Sequence, residues 1–512
     1  MDIAIIITYL AAMLLFGWWG KTRTKNSSDY LVAGRRLGPT LYTGTMAALV
    51  LGGASTVGGV GLGYKFGLSG MWLVVSIAAG LLLLSLLFSS RIAKLKVYTV
   101  AQMLRLRYGV DATSASGLVM VAYTLMLSVT STIAYATIFN VLFGTDRLVS
   151  VLIGGAVVVA YSTIGGMWSI TLTDMVQFVL QTVGVFIILL PFAWINAGGY
   201  DGIVERLGNA AFELTTIGVD TIITFFVIYT FGMLIGQDIW QRVFTARTPK
   251  VAKWGGTAAA VYCLLYGVAG ALIGTAAAAY LPGIEVKDDV YAAITQSILP
   301  VGLSGLVLAA AVAAMMSTAS GALIASATVA RADIAPMIAR LLGRAPRATD
   351  ANPEHDVRAN RIYVVVFGVV VILFAAMLND VVAALTIAYD ILVGGLLVAI
   401  LGGFVWKRAT GAGALWSMAA GTVGTIGTMI ALGDMYANEP IYVGLGASLV
   451  AYVVASLLTP RTPTEVLDEW NARLASRDDE VVADAAAAPV AAEGAADAAA
   501  EPVGAVKPAA AE

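Results

Sequence analysis

Apolar runs of about 20 residues, the length that crosses a bilayer as a helix, recur along most of this sequence. Charged residues make up 12% of the chain, roughly half the share found in soluble domains. Within lipid every backbone polar group needs an internal partner, so only helices and closed barrels cross a membrane. Since the runs are helix-length, the sequence predicts an all-α polytopic membrane protein whose first partner is the lipid bilayer.

The runs predict about 13 transmembrane helices, and the charges between them predict which side each loop faces. The predicted spans are residues 3–20, 40–63, 68–90, 114–143, 148–164, 168–196, 219–241, 252–281, 303–332, 361–378, 381–406, 412–432 and 440–459. Lysine and arginine are frequent in alternate loops, and the other loops carry only Lys65, Arg147, Arg206 and Lys287. Because basic loops stay on the cytoplasmic side, we expect a multi-pass plasma-membrane protein with its N-terminus outside and its C-terminus in the cytoplasm.

The stretch Ala310–Ile334, most of which lies in the ninth predicted span, contains hydroxyl side chains in unusual number. They are Ser317, Thr318, Ser320, Ser326 and Thr328. Hydroxyls in the hydrocarbon core are costly unless they find partners. Two interpretations are open: close packing of helices through small residues, or oxygen ligands for a hard monovalent cation.

Two other predicted spans are interrupted by glycine. Residues 51–63 contain six glycines in thirteen positions, which disfavours a continuous helix. Residues 229–238 carry a milder cluster, five spans later. Interrupted helices at matching positions of two halves are typical of transporters built from inverted repeats. The alternative is that the glycines only form a close-packing surface.

Carboxylates inside predicted spans are candidate functional groups because an ionised side chain in lipid is expensive. Asp174 lies near the inner start of the sixth predicted span, and Asp390 lies in the middle of the eleventh. Asp238 lies four residues before Arg242, so these two can form an ion pair on one helix face.

Several functional classes are disfavoured by composition. The single cysteine, Cys263, and the single histidine, His355, exclude an internal disulfide and a Cys- or His-cluster metal site. No paired acids or nucleophile system of an enzyme are visible, and neither an organic cofactor nor nucleic acid is expected. Residues 461–512 form a predicted cytoplasmic Ala/Glu/Pro-rich tail, disordered except for an amphipathic helix within Thr462–Asp479. Because the tail carries no signalling module, a transporter-derived sensor is improbable.

Four motifs resemble those of the sodium:solute symporters, a family of proline, pantothenate, sugar and choline transporters. They are Ala33–Pro39 (AGRRLGP), Tyr161–Gln177 (YSTIGGMWSITLTDMVQ), Gln241–Arg247 (QRVFTAR) and Ala314–Thr318 (AMMST). The resemblance implies a LeuT-type core, an inverted five-helix repeat, over residues 40–410. An extra helix and inner loop would precede it in residues 1–39, and two helices would follow in 411–460.

The resemblance also implies a sodium site and an ion path. Its sodium ligands would be the carbonyl groups of Ala48, Leu51 and Ala314 and the hydroxyl groups of Ser317 and Thr318. The acid on the inner ion path corresponds to Asp174. Ser320 stands where some members have an aspartate, which leaves a second sodium site in doubt.

The predicted substrate contacts lie around the two glycine breaks. They are Ser55, Thr56, Gln237 and Trp240, with Tyr123 and Ser128 if the fourth span is oriented as in the family. Packing is an equal alternative for Trp240 and Tyr123. Val50 replaces an acid of proline transporters, and Val50 and Gly236 replace tryptophans of choline transporters, so neither solute is supported.

The sequence as a whole favours a sodium-coupled symporter that imports a small neutral or zwitterionic organic solute by alternating access. The alternative is a proton-coupled symporter of the same fold, with Asp174 or Asp390 carrying the proton. A site of hydroxyls and carbonyls contains no titratable ligand, which favours sodium. The sequence does not indicate an oligomeric state.

Overall fold

The computed structural model describes residues 1–109, 113–343, 353–378, 380–434 and 437–476. In these ranges the chain forms helices, turns and loops, apart from one isolated bridge between Leu37 and Ala246. The predicted all-α fold is therefore confirmed. Most of the tail predicted to be disordered lies outside the described residues.

The number of membrane crossings depends on two long helical stretches. In the described part of the chain, ten stretches are long and apolar enough to cross a membrane, and a bent pair makes eleven. Two of the ten, Ala54–Lys94 and Arg147–Asn196, have 41 and 50 residues. A straight 50-residue helix would measure about 75 Å, against a hydrocarbon core of about 30 Å. Each stretch turns at a glycine with positive φ, Gly67 or Gly166, so each contains two crossings and the total agrees with the predicted 13.

We number these spans 1 to 13 in chain order. Span 1 is Asp2–Lys21, span 2 joins Pro39–Val50 to Gly59–Phe66 through an irregular turn at Ala54–Gly58, span 3 runs from Trp72 to Lys94, and span 4 is Thr113–Phe143. The helix Arg147–Gln181 contains span 5 and, beyond Gly166, the start of span 6, which ends at Asn196. Span 7 is Val219–Ile235 with Gln237–Val243, span 8 is Pro249–Tyr280, span 9 is Leu303–Leu341, span 10 is Pro353–Met377, span 11 is Val381–Val405, span 12 is Gly411–Leu432 and span 13 is Glu439–Leu458. Shorter helices are Ser27–Val32, Val100–Tyr108, Gly199–Leu207, Val290–Ile298 and Thr464–Ala475.

Both predicted helix breaks are present. Span 2 leaves helical geometry at Leu51, where φ is −90° and ψ is 62°. Span 7 bends by 46° at Gly236, which has extended backbone. Broken helices expose backbone groups at membrane depth, and such groups are tolerated only inside protein or along a cavity.

Span 9 occupies the centre of the bundle. Its most apolar 18-residue window is completely buried, and it packs against spans 1, 2, 4, 5, 6 and 10. Because protein surrounds this helix on all sides, its hydroxyl groups can bond to neighbouring helices, and no lipid-facing side has to be apolar.

The predicted amphipathic helix of the tail is present as Thr464–Ala475. Its Trp470 is buried, with its ring 5.2 Å from the ring of Phe404 at the end of span 11. Arg473 Nη1 donates a hydrogen bond of 3.0 Å to the carbonyl of Leu95, just beyond span 3. These contacts hold the helix against the ends of two spans.

Trp470→Ala is expected to release this helix, because the indole supplies its one buried side chain. Limited trypsin digestion of the protein in membranes should then cleave at Arg461 and Arg473 several-fold faster, since local opening governs cleavage. Trp254→Ala is the matched control because Trp254 is 63% exposed. Equal cleavage of Trp470→Ala and the parent protein would contradict the docking role.

Candidate ion and substrate site

The break of span 2 lies directly against the hydroxyl-bearing part of span 9. The hydroxyl of Thr318 donates a short hydrogen bond to the carbonyl of Leu49. A Cβ atom added to Gly52 would lie 2.5 Å from Thr318 Oγ1, and one added to Gly321 would lie 2.4 Å from a methyl group of Leu49. Glycine at position 52 is therefore required for this approach, whereas a side chain at position 321 would displace the end of the Leu49 side chain.

This approach gathers the predicted sodium ligands in one region. Ala48 and Leu51 lie on either side of Leu49, at the end of the first half of span 2. The last carbonyl groups of a helix receive no hydrogen bond from an N–H of the same helix, so they are available to a ligand. Ala314 precedes Thr318 by one helical turn, so its carbonyl points along the helix toward the hydroxyl pair.

Asp174 joins four spans through its carboxylate. Ser317 Oγ donates to Asp174 Oδ1 at 2.6 Å, and Arg242 Nη2 donates to Asp174 Oδ2 at 3.0 Å. Thr45 donates a further short bond to Oδ2. Arg242 and Asp174 are 1% and 0% exposed, so spans 2, 6, 7 and 9 meet at a buried ion pair.

The sequence left open a pair between Arg242 and Asp238, and the structure shows a different partner for each. Arg242 binds Asp174, on a different span. Asp238 instead accepts a hydrogen bond of 2.9 Å from the hydroxyl of Tyr123. The break at Gly236 places Asp238 in the first turn of a new short helix.

The two hydroxyls beside the break of span 2 each donate their proton to an acceptor. Ser317 directs its proton to Asp174 and Thr318 directs its proton to Leu49. A hydroxyl that donates in this way keeps two lone pairs for a positive ion. Oxygen ligands of this kind suit hard cations, and the described residues contain no cluster of three or more His, Cys, Asp or Glu side chains that could hold another metal.

Ser320 lies one turn beyond the hydroxyl pair and bonds to its own helix. Its hydroxyl donates to the carbonyl of Ser317 at 3.0 Å. The hydroxyl of Tyr161, from span 5, donates to the carbonyl of Met316 at 2.8 Å nearby. This polar patch lies on the side of span 9 that faces span 5.

A small cavity lies between the two broken helices. Its lining includes the glycines Gly52 and Gly53 and the polar side chains of Ser55, Thr130, Ser131, Asp238, Thr318 and Tyr389. The volume open to the centre of a water molecule in this cavity is about 20 Å³. That is room for one or two waters. The protein is thus closed tightly around the centre of the bundle.

Ser55 is the one predicted substrate residue among the residues that line this cavity. Thr56 instead shares a hydrogen bond of 3.0 Å with the hydroxyl of Tyr266 in span 8. Ser128 donates to the carbonyl of Ala319 at 3.0 Å. Tyr123 contributes indirectly, because its hydroxyl holds the Asp238 carboxylate.

Gln237 and Trp240 pack on the side of the break away from the cavity. The amide of Gln237 donates to the carbonyl of Tyr98 at 3.0 Å and accepts from the amide N–H of Val100 at 2.8 Å. Trp240 Nε1 donates to the carbonyl of Leu234 at 2.8 Å, and its ring lies 6.2 Å from the ring of Phe404. These contacts close the region between span 7 and the loop after span 3.

Sequence patterns did not point to the cavity residues Thr130, Ser131 and Tyr389, and Asp238 was given little weight because Arg242 could pair with it. One signal was available, because hydroxyl residues are consecutive at positions 130–132 of an apolar span. Among the described residues, no group bonds to the buried hydroxyl of Ser131. Asp390, which the sequence did single out, is buried next to Tyr389, and neither of its oxygens has a hydrogen-bond partner in the described ranges.

The opposite end of the bundle is covered by the loop between spans 8 and 9. Lys287 Nζ forms an ion pair of 2.7 Å with Asp380, at the start of span 11. Burial raises the pKa of the adjacent Asp288 carboxyl. Burial also acts to raise the pKa of Asp380, but bonds from the Ala383 N–H and from Lys287 outweigh it and lower that pKa. This ion pair holds the loop against the start of span 11.

The comparison with known families decides the class of this protein. A model of the sodium:solute symporter family matches residues 30–421. The chain belongs to this family. The high-affinity proline transporter PutP of Bacillus subtilis is 25% identical over 483 residues, 90% of this chain and 98% of the relative. The osmoregulated proline transporter OpuE of the same organism is 26% identical over 483 residues, which are 90% of this chain and 96% of the relative.

A further relative is the sodium/proline symporter of Staphylococcus aureus, which is 23% identical over 499 residues, 91% of this chain and 94% of the relative. Solved structures share the fold of this sodium:solute symporter. A Na+-coupled sialic acid symporter in a substrate-bound outward-open state gives a TM-score of 0.77 at 19% identity, over 90% of this chain and 98% of that one. The nucleobase-cation-symport-1 family transporter Mhp1, in a closed conformation, gives a TM-score of 0.56 at 16% identity, over 88% of this chain and 98% of that one. These similarities confirm the predicted LeuT-type architecture.

Proposed function

We propose that this protein imports a small neutral or zwitterionic organic solute together with sodium, by alternating access across the plasma membrane. The observation that carries the proposal is the contact of Ser317 and Thr318 with the broken backbone of span 2 and with Asp174. The distribution of lysine and arginine supports an external N-terminus and a cytoplasmic C-terminus.

In this proposal sodium binds between spans 2 and 9. Its ligands are the carbonyl groups of Ala48, Leu51 and Ala314 and the hydroxyl groups of Ser317 and Thr318. The ion links spans 2 and 9 beside the hydrogen bond that Thr318 donates to the carbonyl of Leu49. The Asp174 carboxylate beside Ser317 attracts the ion and lies on its path to the inner side.

Binding of sodium affects the substrate because both lie against the same break. Gly52, Gly53 and Thr318 line the central cavity, and Thr318 is also a proposed ion ligand. Ordering this backbone with one ligand lowers the cost of binding the other, and that coupling is reciprocal. Inward movement of one positive charge supplies about 2.3 kcal/mol per 100 mV.

The cavity offers opposite electrostatic environments for the two ends of a zwitterion. Asp238 supplies a carboxylate for an ammonium group. The helix that begins at Gly53 presents its first N–H groups, which have no intrahelical acceptor and favour an anion. Three relatives are proline transporters by name, so an amino acid of similar size is a suitable first substrate. The cavity must widen to admit it.

The decisive measurement is uptake into proteoliposomes with sodium and pH gradients imposed separately. We expect uptake of at least one zwitterionic amino acid, in a panel that includes L-proline, to require an inward sodium gradient. It should persist when internal and external pH are equal. Asp390→Asn should leave this sodium dependence in place, because Asp390 does not line the cavity. Uptake that follows the pH gradient and ignores sodium would overturn the proposal.

A further inference from the structure

A second pocket opens at the end of span 1, and it shares no lining residue with the central cavity. Thr22, Arg23, Lys25, Arg36 and Trp168 line it, and its volume is about 300 Å³. Thr22 follows the last residue of span 1, and Trp168 lies just after the turn that separates spans 5 and 6. The transport mechanism uses none of these side chains.

The pocket carries uncompensated positive charge. Among the described residues, the Arg36 guanidinium pairs with the Asp29 carboxylate. No carboxylate in the same ranges forms an ion pair with the side chain of Arg23 or Lys25. Cations gathered in a concave site raise the local concentration of anions.

The indole of Trp168 holds two of the cations near each other. The guanidinium carbon of Arg23 lies 5.4 Å from the Trp168 ring centroid and 5.1 Å from that of Trp19. The guanidinium carbon of Arg36 lies 5.5 Å from the same Trp168 ring. Two like charges on one ring repel each other, and an anion bound between them would remove that cost. Planar guanidinium groups match the oxygen geometry of phosphate.

Trp168 supplies an independent sign of a missing ligand. Its side chain is more than nine-tenths buried, and its Nε1–H has no acceptor among the described residues. A buried tryptophan N–H usually finds a partner. A phosphate oxygen in the adjoining pocket is a suitable acceptor.

The position of the pocket corresponds to the headgroup level of a membrane. Trp18 and Trp19, at the same end of span 1, are 63% and 44% exposed, and tryptophan is enriched at the membrane–water boundary. The exposed apolar face of span 1, which includes Ile7 and Leu15, continues from this point into the bilayer. An acyl chain could follow that face, and a free ion could not use it.

We propose that this pocket binds the phosphate group of an anionic phospholipid. The orientation in the proposed function places the pocket on the cytoplasmic side, whose leaflet carries anionic lipids. Inorganic phosphate offers the same oxygens, but the exposed apolar face of span 1 beside the pocket favours the lipid. The bound headgroup would bridge span 1, the following loop and the start of span 6.

The test is native mass spectrometry of the full-length protein in a neutral detergent, titrated with phosphatidylglycerol or phosphatidylcholine. The test variant is Arg23→Gln with Lys25→Gln, which removes two exposed charges. We expect its affinity for phosphatidylglycerol to fall about 30-fold, from about 1 kcal/mol for each basic residue near an anionic surface. Binding of phosphatidylcholine should not change.

The matched control is Lys250→Gln with Lys253→Gln, in the first turns of span 8 on the same predicted side. Lys253 also lies over an indole, 5.4 Å from the ring centroid of Trp254, but it does not line the pocket. This control should keep the phosphatidylglycerol affinity within about twofold, the scale expected of a screened surface charge. An equal loss in both double variants would overturn the site.

Two more outcomes would overturn the proposal. One is an unchanged phosphatidylglycerol affinity in Arg23→Gln with Lys25→Gln, with the thermal unfolding temperature confirming that the variant is folded. The other is displacement of phosphatidylglycerol by inorganic phosphate at equal concentration, which would assign the pocket to a free anion. Because lipid binding is measured without transport, failure of this proposal is distinguishable from failure of the transport proposal.

Discussion

Replacement of Asp174 by asparagine is expected to abolish sodium-driven uptake and to destabilise the protein. The carboxylate accepts hydrogen bonds from Ser317 and Thr45 and pairs with Arg242, whose side chain is 1% exposed. Its removal leaves a guanidinium buried without an opposite charge. Loss of one member of a buried ion pair costs about 3–5 kcal/mol. The measurements are the thermal unfolding temperature and uptake in proteoliposomes.

A double variant separates the structural role of Asp174 from its role in transport. Asp174→Asn with Arg242→Gln removes both charges, so it should recover much of the lost stability. It should not recover normal sodium dependence, because Ser317 still lacks its carboxylate acceptor. Glu469→Gln provides the exposed control, since the Glu469–Arg473 pair is 58% and 39% exposed and such pairs contribute about 0–1 kcal/mol. Asp174→Asn with parental stability and uptake would contradict this account.

The overall fold was predictable because its signals are local. The length of each apolar run gives the crossings, and glycine clusters give the breaks at Leu51 and Gly236. The partner of Arg242 was not predictable in this way. The sequence offered Asp238 four residues earlier, whereas the actual partner, Asp174, lies 68 positions away. Pairing between helices depends on how each is rotated, and span 9 is buried on every side, so its sequence pattern does not show which face meets which neighbour.

The candidate site was predictable only in outline. Ser55, beside the break of span 2, lines the cavity. Thr56 and Gln237, also beside breaks, do not line it, because polar side chains next to interrupted backbone also bond to other parts of the protein. Asp238 was given low weight because a local ion pair explained it. The break turns the following helix, and that change of direction brings its carboxylate to the cavity.

Thr318→Ala is expected to raise the sodium concentration for half-maximal uptake by about tenfold, the effect of losing one ligand interaction of about 1.4 kcal/mol. Ser317→Ala should raise it at least as much. Thr318→Ser keeps the hydroxyl and should retain nearly parental sodium dependence. Ser326→Ala is the control on the same helix, because Ser326 bonds to Thr124 and does not line the central cavity.

The two alanine variants also distinguish direct binding of sodium from an indirect effect. Ser317→Ala removes a donor to Asp174 as well as a proposed ion ligand, whereas Thr318→Ala leaves the Asp174 cluster complete. Sodium should raise the thermal unfolding temperature of the parent protein, and this shift should shrink in both variants. A shift that shrinks only in Ser317→Ala would mean that the ion acts through the Asp174 cluster. Unchanged sodium dependence in both variants would show that sodium binds elsewhere.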